Sequence, residues 1–510
     1  MIANLTYGGM LVLTDLLASV IVMRQYQGFL EVDYDKVIWT ARGILFVLAL
    51  SPLIALRLAR TYGFKTMFFS GALIFLAGSV LSAFAPNYYS FLAMRLITAF
   101  GGGLMLSLGI PIINHIIAEP QKRRPIVTAY SSISFGLGIA LGMLIGGYYG
   151  QQQQWRMVFL SNAVLVSPVL VATYLCHAEM KKSKQPPYDA AGLVFLCAFI
   201  LSLLFIATQV KAEWNTEGWN SFFIFSCLAI AAASFIAFLI NDLLHPNPLV
   251  DLRIFLYRPF IVGCLLLLFV GFMVFGVTMS TLGILQDFYG YEWIRLGAFM
   301  SIVGFTYFVV GAIPPLLFPY VNFRIFAYIG LAMIAASCFL SQSITIQSDK
   351  YQIGAIVVLR SSGVALALGP ITILALSPFG QDLYAKASTI VNLFRMLGGV
   401  FGSALIQMIA AYRKPAHALW FGEMVNTQSG EYRQYFAEYR TTLENFRGSA
   451  PALSGEQTKL LITDWIRAQA EIAAILDAEF IIGCILLAFM GILAIGGLFH
   501  YLEYRALPTC

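Results

Sequence analysis

Asp15 stands inside an otherwise apolar run, Met10-Leu-Val-Leu-Thr-Asp15-Leu-Leu-Ala-Ser-Val-Ile21. A carboxylate held at bilayer depth costs about 2.5–3.5 kcal/mol on insertion scales, so such a group is retained for what it does. Burial disfavours its charged form and a nearby arginine favours it. A carboxyl poised between the two can take up and release a proton, or can simply be the counter-ion of an arginine. Four arginines also lie in apolar runs: Arg42 (after Trp39-Thr40-Ala41), Arg95, Arg360 and Arg395, the last one turn after Asn392. Arginine is costly in lipid and turns inward. Four inward arginines against a single acid predict an electropositive cavity, which favours an anionic solute such as a carboxylate or siderophore-like acid. The competing reading makes these arginines gate residues or caps on backbone carbonyls.

The elements that must position these groups are membrane spans. The 510 residues are 59% hydrophobic and 11% charged, with mean hydropathy +0.80, against about 25% charged in soluble domains. Fourteen apolar runs, the first near 5–23 and the last near 476–500, are long enough to cross a bilayer. The first run lacks a basic leader and a small-residue cleavage site, so it reads as a retained span. Basic residues cluster after even-numbered runs: Arg57, Arg60 and Lys65; Lys122, Arg123 and Arg124; Lys181, Lys182 and Lys184; Arg253 and Arg258. The positive-inside rule then puts both termini in the cytoplasm. One long outer loop, 412–474, has apolar residues at helical spacing over 431–447 and 456–473, which predicts a helical hairpin lying on the membrane. The net charge of +6 resides in short loops and does not mark a nucleic-acid binder. The seven cysteines are scattered singly, giving neither a metal site nor a disulfide framework. No nucleotide loop or cofactor motif is present, and no nucleophile–base or paired-carboxylate arrangement suggests an enzyme.

The motifs carry a resemblance. Basic residues after the second run, and Leu58, Ala59, Gly63 and Lys65 within Leu56–Lys65, match the Gly-x-Leu-Ala-Asp-Arg-x-Gly-Arg-Lys pattern of the major facilitator superfamily. Arg60 replaces its acid, so the charge latch formed there must differ. Arg95-Leu-Ile-Thr-Ala-Phe-Gly101 keeps the arginine of the fourth-helix pattern Arg-x-x-Gln-Gly-x-Gly. Gly138, Gly142, Gly146 and Gly147 keep the spacing of the antiporter signature Gly-x-x-x-Gly-Pro-x-x-Gly-Gly, with Met143 for proline. Glycines four apart make a small-residue face for close helix packing. Asp189-Ala-Ala-Gly-Leu, Asn247-Pro-Leu-Val-Asp251-Leu-Arg-Ile-Phe255, Gln286-Asp-Phe-Tyr-Gly290 and Asn392-Leu-Phe-Arg395-Met-Leu-Gly398-Gly399 are similar to the EmrB/QacA type of fourteen-helix drug:proton antiporter. That resemblance implies an all-α membrane fold of two six-helix bundles, 1–186 and 259–510, with an inserted pair in 187–258. It implies proton-coupled export of small organic molecules across a bacterial inner membrane, with Asp15 and Arg95 in coupling. Arg42, Trp39, Arg360, Arg395 and Asn392 are substrate-cavity candidates, and Gly63, Lys65, the glycine face and Pro370 serve packing or gating. In a two-membrane envelope it also implies a periplasmic adaptor of the membrane-fusion type, docked on 412–474. The alternative is import of an anionic solute by proton symport, suggested by Met143.

Overall fold

The computed structural model describes residues 1–117, 119–176, 179, 189–212, 214–425 and 451–506, with isolated helical positions between 430 and 441. Among the described residues, fourteen helices are long and apolar enough to cross a membrane: α1 Ile2–Ile21, α2 Asp35–Tyr62, α3 Phe64–Ala83, α4 Tyr88–Ile116, α5 Pro120–Gln151, α6 Trp155–Leu175, α7 Ala190–Gln209, α8 Phe222–Leu244, α9 Arg258–Asp287, α10 Trp293–Leu317, α11 Phe323–Ser343, α12 Lys350–Leu376, α13 Leu383–Met424 and α14 Glu456–Leu493. Helices are the form such a chain must take, because lipid offers backbone N–H and C=O groups no partner. Helices α1–α6 form one six-helix bundle and α9–α14 a second; α7 and α8 pack on each other, and α7 packs against α13. Alternation over an even number of spans puts the start of α1 and the end of α14 on one face, called here the terminal face, and the loop between α13 and α14 on the opposite, distal face.

Glycines set the helix spacing. A Cβ on Gly138, Gly142 or Gly146 would lie 2.7, 2.7 and 2.8 Å from the carbonyl oxygens of Met10, Thr14 and Ala18. The small-residue face of α5 therefore lies on the backbone of α1 and fixes the height of Asp15, one residue beyond Thr14. Gly147 faces the other way, with a Cβ position 2.8 Å from the carbonyl of Trp293 in α10. Gly136 against Phe308, and Gly304 against Ala140, continue this α5–α10 contact between the bundles. Gly142→Val is expected to push α1 off α5 and cost about 1–3 kcal/mol, read as an earlier thermal transition in detergent.

The last long loop differs from expectation. α13 runs on to Met424, and a continuous helix begins at Pro451 and contains α14. Residues 456–473 thus extend a span instead of lying on the membrane, since their apolar positions continue the helical period of the span itself. Most of 431–447 lies outside the described residues.

The inserted pair is tied down by Asp189. Its carboxylate accepts from Gly192 N at 2.8 Å, Asn241 Nδ2 at 2.8 Å and Leu249 N at 3.1 Å, joining α7, α8 and the Asn247–Asp251 connection. Burial pushes its carboxyl upward, but these three donors outweigh burial and hold it below the usual carboxylate range. Its stabilisation is complete above the unfolded value of about 3.9 and fades as pH falls through the lower folded value. Asp189→Ala is expected to cost about 1–2 kcal/mol at neutral pH, a difference from wild type that narrows in melts below about pH 4.

Candidate functional site

Two ion pairs occupy the cores of the two bundles. In the first, Arg95 of α4 grips Asp15 of α1 with two parallel bonds, Nη1 to Oδ1 at 3.0 Å and Nη2 to Oδ2 at 2.9 Å. Nη2 also donates to Ser19 Oγ at 3.3 Å. Asn162 of α6 donates to Asp15 Oδ1 at 2.7 Å and to Ser79 Oγ of α3 at 2.8 Å, and Ser79 donates to the Phe159 carbonyl. The Phe159 ring lies 4.7 Å from the guanidinium carbon. Asp15 is 4% exposed and Arg95 1%. Two-pronged contacts of this kind are the strong form of an ion pair, and the additional donors offset part of the desolvation of several kcal/mol per ion. The sequence singled out Asp15 and Arg95; Ser19, Ser79 and Asn162 were missed. Asn162, a lone amide in an apolar span, is the one that a search for intramembrane polar groups could have found.

In the second pair, Arg360 of α12 meets Glu479 of α14 at 2.5 Å, and its Nε donates to Ser337 of α11 at 3.3 Å. Glu479 is 1% exposed. This corrects the premise of a single intramembrane acid: Glu479 lies near the start of the expected last run, where an acid reads as a boundary residue. By chain order the two sites correspond. The third, fourth and sixth helices supply serine, arginine and Asn162 in one bundle, and serine, arginine and Glu479 in the other. The acid is on the first helix in one case and the last in the other.

Between the bundles, a vestibule of about 340 Å³ sits toward the distal face, lined by α2, α9, α13 and α14. Its charged lining is Asp35, Asp287, Glu471 and Lys414. Lys414 pairs with Glu471 at 2.6 Å, and Asp287 pairs with Arg24 across the rim. The expected electropositive cavity is not what this vestibule offers; carboxylates from span ends, absent from a count of mid-span charges, set its balance. Arg42 reaches across the bundle interface to Gln407 Oε1 of α13, a vestibule residue. Trp39, expected in the cavity, instead has its ring 4.9 Å from that of Phe205 in α7 and does not line the vestibule.

Arg395 lies deeper. It is eight residues before Ser403 of the vestibule wall, which is about 12 Å along the helix. It is 3% exposed and contacts Asn392 of its own helix. Its guanidinium carbon is 4.5 Å from the Phe135 ring of α5, and Tyr130 of α5 and Tyr307 of α10 are its electrostatic neighbours. Arg395 Nε and Tyr307 Oη are buried without a hydrogen-bond partner. Leaving such groups unpaired costs about 1–3 kcal/mol each. The helix facing them, α9, turns into a π-helix over Phe272–Val277, a distortion frequent at functional sites.

The terminal face is closed. A Cβ on Gly369 would collide with Thr128 of α5, and Arg123 stacks 4.0 Å from the Tyr384 ring. Pro370 sits inside α12 without ending it. Where the sequence pattern lost its acid at Arg60, Arg57 and Arg60 line a cleft with Asn247, Asp251 and Lys386. Lys65 donates from its Nζ to the Tyr174 carbonyl, and its backbone N–H donates to Glu179. Gly63, at φ +108°, adopts a backbone that side chains avoid, and a Cβ there would strike Glu179.

A family model described as Major Facilitator Superfamily matches residues 5–403. Among curated relatives, the Multidrug export protein EmrB of Haemophilus influenzae is 22% identical over 471 residues, 92% of this chain and 89% of the relative. The Uncharacterized MFS-type transporter YhcA of Bacillus subtilis is 22% identical over 399 residues, 78% and 74% of the two chains. Among solved structures, the proton:xylose symporter XylE bound to 6-bromo-6-deoxy-D-glucose aligns at a TM-score of 0.55 with 13% identity, over 93% of this chain and 94% of that one. A POT family transporter in complex with 5-aminolevulinic acid aligns at 0.58 with 14% identity, over 96% and 95%.

Proposed function

The chain belongs to the major facilitator superfamily of membrane transporters, and from that membership we propose that it is a proton-coupled exporter of small organic molecules, working by alternating access in a bacterial inner membrane with both termini cytoplasmic. The observation that carries the reading is the buried Asp15–Arg95 pair. A proton reaching Asp15 discharges the carboxylate and frees Arg95, so the occupancy of one site biases the packing of α1 against α4 and α6. Bundles that rock about a midplane site convert that bias into access from alternate faces. Relatives named as multidrug exporters support the direction. An anionic substrate of the carboxylate or siderophore class now rests on Arg395, because Arg95 and Arg360 are ion-paired. Import by proton symport is the second reading, favoured by Met143 in place of the exporter motif's proline. A periplasmic adaptor stays a suggestion of the resemblance alone. The experiment is gradient-driven transport in proteoliposomes by wild type and Asp15→Asn, and the sign of net movement gives the direction.

A further inference from the structure

We propose that Arg395, with the hydroxyl of Tyr307, is the recognition site for the anionic group of an aromatic acid, placed at the seam between the two bundles and capped in this conformation by Phe135.

The ground is the state of the donors. Arg395 is 3% exposed and Tyr307 2%. The Nε of the first and the hydroxyl of the second have no hydrogen-bond partner, and no described carboxylate forms an ion pair with Arg395. A buried guanidinium is kept in nearly every case with an acceptor. Here the acceptor is a neutral one, Asn392 Oδ1 of the same helix, which takes a bond from Nη2, and the face of an aromatic ring covers the rest: Phe135 lies 4.5 Å from the guanidinium carbon. A ring quadrupole attracts a cation less than a desolvated anion does. Tyr130 is differently disposed. Its hydroxyl donates to the Leu106 carbonyl at 3.2 Å, so it is anchored and holds the wall of the site.

The arrangement spans the seam. Phe135 and Tyr130 come from α5, Tyr307 from α10 and Arg395 from α13, so parting the bundles lifts the Phe135 ring from the guanidinium. Tyr307 also borders a cavity of about 20 Å³ with Ile139, Met273, Val303 and the ion-paired Arg360, room for little more than a water, and Arg395 does not line it. The site is therefore closed now and enlarges only with bundle movement. A carboxylate or phosphate oxygen would take the unpaired donors while an aromatic ring replaces Phe135 against the apolar wall. The π-helical turn Phe272–Val277 packs on the same stretch of α13, where the carbonyl of Arg395 abuts Gly271. It gives α9 a local irregularity at the level where the site must widen.

This inference deepens the transport reading by naming the chemistry of its substrate, and its test does not require coupling. The full chain in nanodiscs is titrated with naphthoate, naphthyl phosphate, neutral naphthamide and the cation tetraphenylphosphonium. The expected result is that both anions bind more tightly than naphthamide. Arg395→Gln weakens the anions at least about tenfold and leaves naphthamide unchanged. Arg395→Lys is intermediate because a point charge replaces the planar fork. Tyr307→Phe, which removes only an oxygen, weakens the anions with no loss of fold, and Phe135→Leu strengthens them by removing the competing ring. Anion binding that is equal in wild type and Tyr307→Phe, or absent from wild type, or matched by tetraphenylphosphonium, overturns the assignment. Arg395-dependent binding without gradient-driven transport leaves the site standing and sinks the coupling reading instead.

Discussion

Proteoliposomes carrying Asp15→Asn lose movement of solute driven by a pH gradient, by at least about a hundredfold, while solute binding stays near wild type. The substitution keeps the shape of the side chain and removes the one atom pair that can gain and lose a proton. In the folded chain the carboxylate is shared among Arg95 Nη1, Arg95 Nη2 and Asn162 Nδ2, so protonation must be accompanied by release of the arginine. In the proposed mechanism that exchange links a proton to helix packing. Asp15→Ala behaves differently. It strands Arg95 at 1% exposure and is expected to cost about 3–5 kcal/mol of stability, seen as loss of the folded peak in detergent. Arg95→Met added to Asp15→Ala should recover much of that stability and none of the coupling. If Asp15→Asn transports normally under the gradient, the pair is a structural ion pair and the coupling reading fails.

The second large effect belongs to the other bundle. Glu479→Ala leaves Arg360 buried at 8% exposure with one remaining bond, to Ser337, and is expected to destabilise the protein by about 3–5 kcal/mol. The double variant Glu479→Leu with Arg360→Met fills the same space without charge and should melt close to wild type. Replacing buried pairs by apolar groups of similar volume is often neutral or favourable. Single and double melts therefore separate the cost of stranding a charge from the net worth of the pair. Equal melting temperatures for wild type and Glu479→Ala would show that Arg360 finds another partner or water.

The membrane class, the fourteen spans and the family resemblance were legible because the physics behind them is local. Lipid demands long apolar helices, and their number can be counted along the chain. The glycine face of α5 was legible for the same reason: residues four apart share a helix face, and Gly138, Gly142 and Gly146 lie on the backbone of α1. Asp15 was legible because a lone charge in an apolar run has no local reason to be there. The tertiary structure alone decided partnership. Asp15 and Arg95 are 80 residues apart, and Asp15 and Asn162 are 147 apart, distances over which no sequence period carries information. The balance of charge was misjudged for that reason. Four arginines were weighed against one acid, whereas Glu479 pairs with Arg360 and the vestibule carries its own carboxylates. Trp39 was assigned to a cavity by residue type, and helix rotation turned it toward α7 instead. Arg395 was visible as a charge. Its isolation between α5 and α10, with Phe135 as cap and Tyr307 as unpaired neighbour, exists only where the two bundles meet. Sequence determined which groups are too costly to be idle; packing decided which of them neutralise one another, as Asp15 with Arg95 and Glu479 with Arg360, and which meets no described carboxylate, as Arg395.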